Sequence, residues 1–566
     1  MLLPIGCKKS SPKPGVGGRT AAESAHVWRD ELFKFAIDNL NRLEEFNHRE
    51  MLEQIVGRLN QWGRGRKPPS DWRRDPLLAT LPEPLTTLPM LKDLEKIEFP
   101  RYDGFALQEA IWMRDVSNWA RGEGLDDLGR ALQLFDWTVR NIQLRRQPAE
   151  PQADRVDLMP WEVLLFGQGT ATERAWVFVL LARQQNIDAV LLALPDAKDV
   201  DAKKSDAKKA DAKKPGAKKQ VGRQPAVWAV GVLIDKQLYV FDPTLGLPIP
   251  APKGVTLDAA GQLAIKPATL AQLVADDSLL RRLDMKDRPY PVKSAQLANV
   301  VAFVEGSPTY LAARMELIQS QLTGKQKTVL AASPSELAKR IGELGCVSDV
   351  QLWAWPYEVI FRQTQLSRTA MQRKMIAMMP FQVGEAAPLW KGRLLHFKGR
   401  FTGERGAMQY YQKARPANAD LRAADFRPPN LNDPKAAEEM ARALKGFVYR
   451  AKQDASYWLG LIAYHRGKCR AAADYFDQRT LEASPSGPWT QGATYNLART
   501  AELDGEPAKA ARLYRSDLQS PAQHGNLLRA GWLGDIHREG KAEEGKAEKV
   551  GKEKERGEGK KGKEDR

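Results

Sequence analysis

Gly169-Thr170-Ala171-Thr172-Glu173-Arg174-Ala175-Trp176 decides how this chain is read, together with two runs downstream, Ala226-Val227-Trp228 and Phe241-Asp242-Pro243-Thr244. Thr170 and Glu173 stand just ahead of the apolar run Ala175 to Ala182. Their spacing is that of a capping box, in which the hydroxyl accepts from the N3 amide and the carboxylate from the N-cap amide. It predicts a buried helix with Ala171 in its first turn. Asn186 is the expected stop, because its short polar side chain tolerates the left-handed conformation. Ile187 to Leu194 then reads as a buried strand. Val230 to Ile234 and Leu238 to Phe241 read as two more strands around the turn Asp235-Lys236-Gln237. Upstream, Leu128, Ala131, Phe135, Val139 and Ile142 recur at helical spacing.

On these residues the segment 105–250 resembles a transglutaminase-like domain. In that family a Cys opens a buried helix, two residues after a Gly and four before an Ala; here that position is Ala171, between Gly169 and Ala175. A His-x-Trp opens the family's next motif, and here Ala226-Val227-Trp228 stands in its place. The family's Asp-Pro is matched by Asp242-Pro243, sixteen residues after Ala226. The run Leu134-Phe135-Asp136-Trp137 to Asn141-Ile142 is also similar to the helix that precedes the family's Cys segment. The resemblance implies a papain-like α+β core and, in active members, a thiol at the positive end of a helix dipole. In this chain the Cys and His positions, Ala171 and Ala226, carry no functional group, and only Asp242 is kept.

A count of every candidate nucleophile and base points the same way. The chain has histidines at 26, 48, 396, 465, 524 and 537 and cysteines at 7, 346 and 469, so neither type occurs between residues 49 and 345. Acyl transfer needs a thiol or hydroxyl held against a base. Thr170 or Thr172 with Glu173 or Asp242 as base is the enzyme alternative, a protease or acyl transferase with an atypical nucleophile. Capping of the helix and closure of a turn are the plainer roles for these groups. The expectation is a pseudoenzyme with no catalytic residue, no cofactor and no metal site.

At 566 residues the chain is too long for one core. Its apolar fraction of 43% and fifteen tryptophans mark a folded protein. The net charge of +17 raises the alternative of a basic polyanion-binding protein, but eleven of those charges lie in residues 1–20, 198–219 and 538–566. Lysine runs such as Asp206-Ala207-Lys208-Lys209, with no aromatic residue among them, read as solvated insertions, so no specific nucleic-acid partner is expected. The lysine-rich insertion at 197–222 falls between the lost Cys and His positions.

Met1 to Cys7 followed by Lys8-Lys9-Ser10-Ser11-Pro12 resembles the end of a bacterial lipoprotein signal, with Gly6-Cys7 at the processing point. This makes Cys7 a candidate lipidation site, with a start upstream of Met1 or a free thiol as the two readings. If Cys7 is modified, the protein is expected at the cell envelope, lipid-anchored and facing the periplasm; otherwise it is expected to be soluble and cytoplasmic. Cys346 and Cys469 lie in apolar contexts and read as buried small side chains.

In the second half, Tyr457-Trp458-Leu459-Gly460 to Tyr464, Gly467, Ala472, Ala473, Tyr475 and Phe476 resemble a tetratricopeptide repeat. Tyr495, Leu497, Ala501, Gly505, Ala510, Ala511, Leu513 and Tyr514 repeat it. Leu389 to Phe401 with Gly406 to Ala414 has the same helix, turn, helix rhythm. The resemblance implies a protein or peptide partner. Lys327 to Ala331 reads as a strand, and Trp353, Trp355 and Tyr357 as a core cluster.

The expected fold class is therefore α+β and multi-domain. Residues 1–20 form a tether, 21–104 a helical region, 105–250 the degenerate transglutaminase-like domain, 251–380 a mixed α/β region, 381–535 a stack of tetratricopeptide-like α-hairpins and 536–566 a charged tail. The expected function is a non-catalytic module that binds or scaffolds a protein partner at the bacterial cell envelope.

Overall fold

A computed structural model describes residues 21–146, 156–194, 225–258, 261–384, 387–427 and 433–536. Cys7, the tether at 1–20 and the insertion at 197–222 lie outside the described residues, as does the charged tail beyond residue 536.

Seven helices lead into the first half: α1 (Ala21–Leu40), α2 (His48–Gly63), α3 (Pro89–Lys92), α4 (Arg101–Ala120), α5 (Asp127–Asn141), α6 (Pro160–Phe166) and α7 (Ala171–Arg183). The strands are β1 (Gln143–Leu144), β2 (Gln168–Gly169), β3 (Asp188–Leu194), β4 (Ala226–Ile234), β5 (Gln237–Asp242), β6 (Leu247–Pro248), β7 (Pro250–Leu257), β8 (Leu263–Pro267), β9 (Val301–Val304) and β10 (Asp349–Leu352). Six of them form a mixed sheet in the order β10-β9-β3-β4-β5-β6, with β10 parallel to β9 and the other pairs antiparallel. The architecture is α+β, as the sequence implies.

Alternation along the strands covers both faces of this sheet. Leu191, Val230, Val232 and Phe241 face α5 and α7, where Phe135, Phe178 and Phe241 stand with ring centroids 5.1–5.5 Å apart. Val190, Leu192, Ala229, Leu238 and Val240 face a second core with Leu270, Leu280, Tyr290 and Ile341. Each fully buried large apolar side chain contributes about 1.5–3 kcal/mol, so the two cores anchor the sheet from both sides. The β4–β5 turn places Asp235 and Lys236 at positive φ, the geometry of a two-residue hairpin connection. Asn186 adopts φ 55° and ends the chain's turn out of α7, as expected.

Three expectations need correction. The 251–380 stretch is not a separate region, since β9 and β10 complete the same sheet as β3 to β6. Lys327 to Ala331 forms no strand. Side-chain amides take the place of a ladder there, with Gln184 bonding both the amide and the carbonyl of Val329 and Gln319 accepting from Leu330 and Ala331. Cys346 and Cys469 are only half-buried, Cys469 because it opens a helix (Cys469–Phe476) at the surface. Trp353 and Tyr357 are core, with Trp353 edge-on to Trp176 at 5.5 Å and the Tyr357 hydroxyl donating to the Gly306 carbonyl at 2.6 Å.

The second half is a series of helical hairpins: Pro388–Phe397 with Ala407–Lys413, Pro434–His465 with Cys469–Phe476, and Thr490–Leu503 with Pro507–Arg515. Gly460 shows why such pairs need a small residue, because a Cβ there would lie 2.6 Å from the Phe476 ring. These helices do not stand apart from the sheet domain. The hydroxyl of Tyr457 and the amide of Asn496 both donate to the Arg140 carbonyl of α5, at 3.2 and 3.1 Å. Asp136 of α5 accepts from Arg499 at 2.5 Å and from Arg140 at 2.7 Å. Burial alone would raise the Asp136 carboxyl, but the two guanidinium groups outweigh it and hold it well below the usual range. A final helix spans 523–536, and a Cβ on its Gly525 would collide with the Leu245 carbonyl at 1.8 Å. The hairpins thus clasp the sheet domain along α5 and along the turn after β5.

Candidate functional site

The start of α7 is built around its cap. Thr170 accepts from the Glu173 amide at 3.3 Å, and Glu173 accepts from the Thr170 amide at 2.7 Å. The same fully buried carboxylate accepts from the Leu158 amide at 2.7 Å and from Arg145 Nη2 at 2.9 Å. Glu173 therefore joins the cap, the approach to α6 and the Arg145 side chain. Arg174, one residue on, is buried and directs Nε and Nη2 to the Ile142 carbonyl and Nη1 to the Pro243 carbonyl, the last at 3.1 Å. Burial lowers this guanidinium to about 10. Through Arg174 the first turn of α7 is tied to the Asp242-Pro243 corner, so two of the three quoted motifs do meet.

They meet through structure-holding bonds. Asp242 Oδ1 accepts from the amides of Thr244 and Leu245 at 2.7 and 2.9 Å, closing the turn after β5. Oδ2 accepts from the Tyr290 hydroxyl at 2.7 Å, and that hydroxyl accepts from Trp228 Nε1 at 2.6 Å. Tyr290 belongs to the core on the sheet face away from α7, so the carboxylate points to the opposite side from Phe241. Burial raises the Asp242 carboxyl, against the hydrogen bonds from Tyr290 and the two amides. Trp228 reaches Tyr290 because the ladder slips there: Leu192 pairs with Ala229 and Ala193 with Val227, leaving Trp228 as the extra residue of a bulge. Ala226 opens β4 and is exposed, while Ala171 is half-buried in the first turn of α7. Among the described residues Thr172 has no carboxylate hydrogen-bond partner, and no group of three or more His, Cys, Asp or Glu is placed to hold a metal ion.

Beside this cap opens a cleft of about 690 Å³. Leu158, Phe166 and Phe381 give it apolar walls, and Arg145, Arg373, Lys374 and Arg450 line it with cations. Lys374 pairs with Glu162 at 2.7 Å and Arg450 with Asp454 at 2.8 Å, so these two, like Arg145 on Glu173, rest on a carboxylate beneath them. Those carboxylates, Glu162, Glu173 and Asp454, are buried, and only Asp454 reaches the lining. The cleft therefore presents donors rather than acceptors. Arg145 Nε has no hydrogen-bond partner among the described residues.

Comparison with family models, with curated proteins and with solved structures finds no significant match for this chain.

Sequence reading located Ala171, Ala226, Asp242, Thr170, Thr172 and Glu173 but not the cleft. Its signal was present in Arg368-Thr-Ala-Met371-Gln-Arg373-Lys374-Met375-Ile376, a helical stretch with three cations, no acid and methionines four apart. Tyr290 had no local signal, since it is an aromatic residue in a loop and its role comes from a partner 48 residues away.

Proposed function

We propose that this chain is a non-catalytic binding protein, a degenerate transglutaminase-like core clasped by tetratricopeptide-like helices, that holds a protein partner. One observation carries the reading. Apart from the Thr172 hydroxyl, every polar side chain that could serve chemistry at the start of α7 already holds the fold: Thr170 and Glu173 in the cap, Arg174 on two backbone carbonyls, Asp242 in its turn and on Tyr290. A hydroxyl nucleophile needs a base within hydrogen-bond reach. Among the described residues neither Thr170 nor Thr172 has such a base, because Glu173 meets Thr170 through backbone amides rather than through the hydroxyl proton. The cleft beside the cap, apolar with cations at its rim, has the makeup of a ligand site.

The compartment we propose is the cell envelope, through lipid on Cys7, supported by the Gly6-Cys7 context. Among the described residues no helix is long and apolar enough to cross a membrane, which fits a lipid tether. Metabolic labelling with a fatty acid, on a chain with any upstream start restored, is expected to mark the protein and to fail for Cys7→Ser.

The functional reading is tested with a hydroxyl-directed fluorophosphonate probe on the full chain. No covalent label at Thr170 or Thr172 is expected. Labelling that disappears in Thr172→Ala overturns the reading in favour of an enzyme.

A further inference from the structure

The cleft beside α7 is walled by two helices whose exposed faces have unusual chemistry. On Pro434–His465, Ala443, Gly446, Phe447 and Arg450 all line it, and their spacing of i, i+3, i+4 and i+7 is one helical stripe facing the cleft. On Arg368–Met378, Arg373, Lys374, Ile376 and Ala377 line it. Ile376 is 50% exposed at the cleft, and Met440, one turn before Ala443, is 48% exposed. The lining thus follows a whole stripe of each helix, a length that suits a helical ligand.

We infer that this groove docks an amphipathic helix of a partner protein, with apolar anchors on one side and acidic residues flanking them. The inference rests on the binding reading above and names the partner's chemistry. An apolar helix face laid between two helices covers a stripe spaced i, i+3, i+4 and i+7. The charge follows from the lining. Arg145, Lys374 and Arg450 are held in place by buried Glu173, Glu162 and Asp454, of which only Asp454 reaches the lining. What a ligand meets is the outer N–H donors of Arg and Lys, which match carboxylates. Concavity favours a helix over a bilayer surface, since Leu158 and Phe166 line the cleft between the walls, where a flat headgroup layer does not seat.

The test is a displayed library of random helical peptides selected on the full chain, followed by anisotropy titration of the winners. Ile376→Asp with Ala377→Asp, both at exposed positions on the lining, disrupts the apolar wall. Arg373→Glu reverses one rim charge. Recovered peptides are expected to carry Leu, Ile, Met or Phe at i, i+3/i+4, i+7 with Asp or Glu beside them. Both variants are expected to weaken them by more than about tenfold, with far-ultraviolet circular dichroism and melting unchanged. Peptides without acidic enrichment, or peptides insensitive to both variants, overturn this groove while leaving a binding protein in place. Recovery of no binding peptide at all overturns the binding reading with it. Binding to phosphatidylglycerol vesicles that displaces the peptide and is lost in the double variant assigns the groove to a membrane instead.

Discussion

The first turn of α7 and the groove that opens beside it share one wall and differ in every other respect. At the cap, Glu173 is buried and takes three donors, as does Asp242 at the linked turn. Across the groove, Ile376 stands half in solvent and arginine side chains line the cleft. Buried polar groups with complete hydrogen bonding are what a fold keeps for stability, while exposed apolar surface costs stability and is kept for contact. On our reading, the motif that resembles a catalytic centre has become framework, and the neighbouring groove carries the function.

The contrast is broken most severely at Glu173. Glu173→Ala leaves Arg145 without its carboxylate and the buried amides of Leu158 and Thr170 without an acceptor, so a loss of about 3–5 kcal/mol is expected in urea unfolding. A loss below about 1 kcal/mol would mean that the cap does not anchor this corner. Asp242→Ala comes next, with about 2–3 kcal/mol from the unpaired Tyr290 hydroxyl and turn amides. Asp242→Asn keeps Oδ1 as an acceptor and should lose clearly less. Equal losses for the two would show that the turn contributes little.

How much of this was legible depends on whether the signal was local. The Thr170–Glu173 box, Asn186 and the Asp235-Lys236 turn are short-range devices, and each stands where the residues imply. The hairpins with Gly460 and Gly505 were equally readable, because helix, turn and small residue follow one another in sequence. What the sequence hid was long-range. The closing of the sheet by β9 and β10 depends on pairing across more than a hundred residues. The groove arises where helices from 368–378 and 434–465 meet the α6–α7 corner, and no local pattern announces which helices will be neighbours. Packing of Arg499 onto Asp136 likewise turned an expected free repeat stack into a clasp.

Acid sharpens the comparison at a third place. His48 lies between Trp390 and Phe105, with ring centroids 4.5 and 5.9 Å away. Burial pushes its imidazole down to about 4, against the hydrogen bond to Gln108 that raises it. The folded protein therefore holds His48 neutral where the unfolded chain protonates near its ordinary value. The stability it contributes is complete above pH about 6.5 and falls as pH drops toward about 4, by on the order of 1–2 kcal/mol for a half-buried ring. His48→Gln should flatten the melting temperature over this window, and an unchanged acid slope would remove His48 from the account. The smallest effect on stability belongs to the groove. Ile376→Asp should change unfolding free energy by less than about 0.5 kcal/mol, as for other exposed sites; a larger loss would mean that the groove is packed within the protein.

The most direct test sets the two regions side by side in one titration. A selected acidic amphipathic peptide is titrated against the full chain, Thr172→Ala and Ile376→Asp, with all three checked for equal melting. Thr172→Ala is expected to bind like the parent, and Ile376→Asp to bind more than about tenfold more weakly. Loss of binding in Thr172→Ala with full binding in Ile376→Asp would contradict the division of roles and return function to the start of α7.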